Sequence, residues 1–250
     1  MRKTILYFSL VLAVAISVAS CINVVHDNVN VVSFSSKSFD NAPFVSKSLK
    51  SFAAIINNGP LNIEYHQSDK YGITILGDTG KVDCVRAEVV DGELRLRLEP
   101  GVYHDLWLKV LVQAPALSVI HQNGSGDISC DVLDRKPTVD LKTNGSGEIE
   151  ISTIDCRDLH IVVNGSGAVR IGEVKSVTAG LKANGSGDIH LPAVKVEDEL
   201  NAKINGSGSI KLNGTAQNVK ATVTGSGSIT GKVDYKHFEN TKTGSGTIDL

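Results

Sequence analysis

Asn184-Gly185-Ser186-Gly187-Asp188-Ile189-His190-Leu191 is the stretch on which the reading of this chain turns. Its Gly-Ser-Gly recurs with the first glycine at Gly124, Gly145, Gly165, Gly185, Gly206, Gly225 and Gly244, at spacings of 21, 20, 20, 21, 19 and 19 residues. Self-similarity at a fixed period marks a repeat architecture. Apolar residues keep step with the motif, which separates a structural repeat from glycine-rich low complexity. Four residues after each first glycine stand Ile128, Ile149, Val169, Ile189, Ile210, Ile229 and Ile248, and two further on Cys130, Ile151, Ile171, Leu191, Leu212, Gly231 and Leu250. Before the motif, alternate positions carry Val139 and Leu141, Leu159 and Ile161, Leu181 and Ala183, Leu200 and Ala202, and Val219 and Ala221. Period two means strands.

Each repeat therefore consists of a strand entering the corner, the Gly-Ser-Gly turn, a strand leaving it, and a variable return such as Leu133 to Thr138. A coil this small cannot bury its inward face alone, so equivalent strands must stack at about 4.8 Å. The fold expected is all-β: a parallel, right-handed β-helix or solenoid with coils of about 20 residues. A tight corner repeated in register requires positive φ or close backbone approach, which explains the glycines. Asn123, Asn144, Asn164, Asn184 and Asn205 precede the motif, where stacked amides would form a hydrogen-bonded ladder. Thr224 and Thr243 replace Asn at the last two corners, where the ladder should weaken.

Upstream, residues 49–120 lack the motif but alternate: Leu61, Ile63 and Tyr65; Tyr71, Ile73 and Ile75; Val85, Ala87 and Val89 before Asp91-Gly92; Leu94, Leu96 and Leu98 after it. Asp-Gly between alternating runs predicts a hairpin. This segment reads as a β-rich lead-in that caps the N-terminal end of the seven repeats at 121–250, making 49–250 one domain. Residues 22–48, rich in Ser, Asn and Lys, read as a tether.

The first 21 residues read as an export signal: Arg2 and Lys3, the apolar run Ile5 to Val18, then small residues before Cys21. The run is short for a bilayer span, which takes about 20 apolar residues. Val18-Ala19-Ser20-Cys21 resembles the lipobox of bacterial lipoproteins, which implies lipidation at Cys21. The partner so implied is a membrane reached through acyl chains, and the place is the cell envelope, at the outer membrane. Without Arg2 and Lys3 there are 23 basic and 27 acidic residues, a formal charge of −4, which gives no footing for nucleic acid. The cysteines after Cys21 are Cys84, Cys130 and Cys156, an odd number that excludes complete internal pairing. Cys130 takes a position filled elsewhere by Ile or Leu and reads as a small buried hydrophobe.

The lipobox, the alternating lead-in and Asn-Gly-Ser-Gly-Asp-Ile at Asn123 to Ile128 and Asn184 to Ile189 together resemble a bacterial family, the auto-transporter adhesin head or GIN domain. The resemblance spans roughly residues 50–250. It implies a β-helix similar to pectin-lyase-like folds, an adhesive role toward a protein or glycan, and no assigned catalytic residue.

Parallel β-helices host polysaccharide lyases whose carboxylates line adjacent coils, so the outward positions after each corner are where such chemistry would sit. Stacking brings Glu150 beside Arg170 and Arg170 beside His190; with Glu148 and Asp188 they form the candidate exposed binding patch. Mixed charge on a stacked sheet is also what solubility requires. No nucleophile or metal-ligand spacing accompanies these residues, so neither catalytic residues nor a cofactor are assigned. Calcium sites of the nonapeptide kind are excluded by the longer period and by Ala168, Ser209, Ser228 and Thr247 at the acidic position. The reading is a non-catalytic, adhesin-like envelope lipoprotein, with a glycan-acting β-helix enzyme as the alternative. Ile248 and Leu250 would leave an apolar strand edge at the final coil, where a second copy could dock.

Overall fold

The structure, a computed structural model, describes residues 21–25 and 28–250, with side chains from residue 32 onward. The repeats stack as parallel coils into a β-solenoid. Ile128–Gly145, Glu148–Gly165, Ala168–Gly185 and Asp188–Gly206 each run extended from one corner to the next. The strands leaving the corners align as Ile128, Ile149, Val169, Ile189, Ile210, Ile229 and Ile248. Those entering align as Leu141, Ile161, Leu181, Ala202 and Ala221. The return segments supply a third inward column, Leu133, Ile154, Val174 and Val194. Nearly all of these side chains are buried, Ile248 being half-buried, and they form one continuous core. Because identical positions stack, Ile rests on Ile through the repeats, and the buried aromatics Phe52 and Tyr65 lie in the lead-in.

Two different demands explain the Gly-Ser-Gly corner. Gly185 has φ +108°, and a β-carbon there would come 2.7 Å from the carbonyl oxygen of Gly165. At Gly187 the obstacle is proximity alone, with Val163 Cγ1 at 2.4 Å and Gly167 O at 2.5 Å from such an atom. The freed space lets one carbonyl serve two donors: Gly185 O accepts from Ser207 N at 2.8 Å and Gly208 N at 3.0 Å. Beside the corner the expected amide ladder is present. Asn144 donates to Asn123 at 2.6 Å, Asn164 to Asn144 at 2.7 Å, Asn184 to Asn164 at 2.8 Å and Asn205 to Asn184 at 2.9 Å.

The ladder begins one coil earlier than the motif does, since Asn123 donates to Asn58 at 2.9 Å. Ala54–Asn58 and Ile63–Gln67 form a coil around an Asn58-Gly59-Pro60 corner, pairing in parallel with the strands on either side of Gly124. Residues 68–118 are inserted after this coil and fold back over it. Leu108–Ala114 pairs with Ile63–Gln67, and Glu93–Leu98 with Ala54–Asn58, so the lead-in closes the N-terminal end as expected. The Asp91-Gly92 hairpin is present too, with φ +52° and +78°, the two positive values that a type I′ turn requires.

The segment expected to be a tether carries strands. Asn28–Phe34 pairs in parallel with Val102–Leu106, and Phe44–Ser48 pairs antiparallel with Gly72–Gly77. Val32 is buried, while Phe34 and Val45 pack partly against the core. Scattered among Ser and Lys, these three side chains supply the burial that holds the segment. The export signal lies outside the described residues, as does the side chain of Cys21.

The final coil adds polar residues beside the edge expected. Ile248 and Leu250 are half-buried, but the strand His237–Thr243 sets Asn240 and Lys242 in register with the core positions Ala221 and Val223. A charge at an inward position is one way an open edge is guarded against pairing.

Candidate functional site

The patch residues all come from strands leaving the corners, where outward positions of successive coils lie one strand spacing apart, about 4.8 Å. Glu150 is in register with Arg170, and Arg170 with His190, as expected. The hydrogen bonding departs from that simple row. Arg170 leans diagonally to form its ion pair with Glu148 rather than Glu150, with both side chains partly exposed. Such a half-exposed pair positions side chains more than it stabilises the fold.

Asp188 has a backbone partner that the sequence did not disclose. Its Oδ1 accepts from the backbone N–H of Ser209 in the next coil at 3.0 Å. Asp127 does the same for Glu148 at 3.0 Å, and Asn62 for Asp127 at 3.1 Å. The Asp of Asn-Gly-Ser-Gly-Asp-Ile is therefore a bracket between coils, capping a donor just past the corner. Burial raises the carboxyl pKa of Asp127, with the charge of Arg170 opposing.

Between the side chains run shallow depressions. One of about 350 Å³ is lined by Glu150, Ser152, Arg170, Gly172, His190 and Pro192. Gly172 lies close against the neighbouring coil, where a β-carbon would meet the Ser152 carbonyl oxygen at 2.7 Å. Arg170 and His190 also border a second depression, of about 290 Å³, that continues past Asp188 and Ser209 to Lys211. A third, of about 140 Å³, extends the row toward Asp127 and Lys109. The structure thus brings Glu148, Glu150, Arg170, Asp188 and His190 onto one face and adds Lys211 to them. Lys211 was legible as the next outward position after His190, one coil along. All three depressions are open and follow one another along the stack. Among the described residues no group of three or more His, Cys, Asp or Glu is placed to hold a metal ion.

The family described as "Putative auto-transporter adhesin, head GIN domain" matches residues 51–198 and 171–250, and the two matches together span the solenoid and its lead-in. This chain belongs to that family. Among solved structures, a putative adhesin from Bacteroides fragilis is similar with a TM-score of 0.76 at 27% identity, covering 83% of this chain and 95% of that one. A putative adhesin from Parabacteroides merdae, at 20% identity, covers 83% and 95% with a TM-score of 0.66. A structure described as a putative lipid binding protein from Parabacteroides distasonis, at 21% identity, covers 84% and 97% with a TM-score of 0.64. The last two likenesses are of fold alone. No match was found among curated proteins. Membership in the GIN family agrees with an adhesin-like β-solenoid domain.

Proposed function

We propose that this chain is a non-catalytic, lipid-anchored envelope protein whose solenoid binds an extended protein or glycan ligand along the trough bordered by Glu148, Glu150, Arg170, Asp188 and His190. One observation carries the reading: the patch residues stand in an open row, in register on a stacked parallel sheet. Its charged groups are held by the scaffold, Arg170 through Glu148 and Asp188 through the Ser209 N–H. Side chains held at a fixed repeat match a ligand that itself repeats, and pre-organisation lowers the cost of binding. The adhesin-like family supports the same reading. Acylation of Cys21 would place the domain at the outer membrane.

The competing reading is a glycan-acting enzyme, for which the alternation of Glu150, Arg170 and His190 is the motivating observation. A glycan array and incubation with acidic polysaccharides separate the two. The binding reading expects retention without shortening of the polymer; release of shortened chains would sink it. Anchoring is checked by replacing Cys21 with Ala. The variant should leave the membrane fraction and lose the mass of the acyl chains, and unchanged fractionation and mass would contradict acylation.

A further inference from the structure

At the capped end the described surface becomes aromatic. Trp107, the sole tryptophan of the chain, stacks on Phe39 with ring centroids 5.7 Å apart, and Lys37 Nζ lies 5.8 Å from the centre of the indole. The Trp107 carbonyl accepts from Asp78 N, and the neighbouring Gly77 N donates to Pro43 O, which brings Phe44 to the same corner of the molecule. Phe44 is 63% exposed on an edge strand, and Val102, on the strand that leads into Trp107, is 64% exposed. The indole Nε1 is covered yet has no hydrogen-bond partner in the protein. Phe44 and Val102, the two most exposed of the large apolar side chains described, thus accompany the half-buried Trp107–Phe39 pair, and such a grouping marks an interaction site.

The backbone indicates what covers this end. Cys21 pairs opposite Val32, and Val32 opposite Tyr103, so the residue expected to carry the acyl chains lies two strand spacings, about 10 Å, from Tyr103 and the exposed Val102. The anchor and the aromatic patch therefore occupy the same end of the solenoid, with the Gly-Ser-Gly coils leading away from it. Trp and Phe rings with a lysine beside them suit the bilayer interface, where rings sit among headgroups and the ammonium stays wet.

We propose that the capped end of the solenoid rests on the lipid surface, with Trp107, Phe39, Phe44 and Val102 in the bilayer interface and the coils projecting outward. This rests on the anchored reading above, since acylation at Cys21 is what would hold the patch at the bilayer. Proximity converts weak interfacial contacts into a fixed orientation. The trough of the candidate site then stands clear of the membrane.

The test uses the full chain, purified from membranes and reconstituted into phosphatidylethanolamine–phosphatidylglycerol vesicles, with and without bromine on the acyl chains. Trp107 is the only indole, so its emission reports this patch alone. Emission should be lost on the brominated vesicles, and Phe39→Ser/Phe44→Ser should float with the vesicles yet escape most of the quenching. Protein that floats while Trp107 emission is the same in both vesicle types would overturn the proposal and leave the anchor standing. Protein that fails to float would overturn it as well. The mass of the N-terminal peptide then shows whether acylation itself was at fault.

Discussion

Gly185 and Asp188 sit three residues apart at one corner and answer to different physics. Gly185 combines a φ of +108° with a neighbouring carbonyl that leaves no room for a β-carbon. Gly185→Val should therefore lower stability by at least the 1–3 kcal/mol of backbone strain, with a clash added. Asp188→Asn keeps an oxygen for the Ser209 N–H and should shift melting little. Equal shifts for the two variants, measured by thermal unfolding, would refute the corner geometry. The buried thiols give a second check. Burial pushes Cys130 and Cys156 up to about 12, so native protein should resist alkylation at pH 8 and react only once unfolded. The roles of the glycines and of Cys130 were legible because each recurs in, or substitutes into, a periodic column, whereas the burial of Cys156, in register with Lys136, was not. The bond from Asp188 to Ser209 was not, because a carboxylate on an outward position reads the same whether it faces solvent or caps the next coil.

At the scale of elements, the seven marked corners were readable and the unmarked one was not. Asn58-Gly59-Pro60 uses the same ladder and the same register, yet residues 68–118 separate it in sequence from the coil on which it stacks. Periodicity along the chain cannot report a neighbour restored in space by an insertion. The alternation of Leu61, Ile63 and Tyr65 did reveal the strand, and Asp91-Gly92 its hairpin. The joint between this coil and the cap has a pH signature. The hydrogen bond from Lys109 holds the Glu64 carboxyl below its usual range; burial opposes, and the charges of Lys109 and His66 add to the lowering. A folded value below the unfolded one gives stability that is present above the ordinary glutamate range, near pH 4.3, and lost as pH falls through the lowered value. Lys109→Met should flatten that acid-side loss in melting temperature between about pH 2 and 5. A slope identical to wild type would contradict the assignment.

The molecule as a whole is a stack with one closed end and one open end. The cap, the Cys21 strand and the aromatic patch lie at the first; the second exposes the strands His237–Thr243 and Thr247–Asp249. Ile248 and Leu250 stand half-buried at this edge, where the sequence places docking of a second copy, and Asn240 and Lys242 at core register positions of the neighbouring strand would act as a guard. Lys242→Val removes the guard. Sedimentation should then show larger species at concentrations where wild type shows none, and an unchanged profile would mean that the lysine is not what limits pairing. Between the two ends the patch stands on a face that no element among the described residues covers, and binding there is the claim on which the functional account depends. The most direct measurement is a glycan array probed with wild type, with Arg170→Ser/His190→Ser, and with Lys182→Ser/Lys203→Ser, a control pair on the strands that enter the corners. The account predicts that wild type and the control retain the same glycans uncut, while Arg170→Ser/His190→Ser loses them. Shortened glycans, or retention unchanged in Arg170→Ser/His190→Ser, would contradict it.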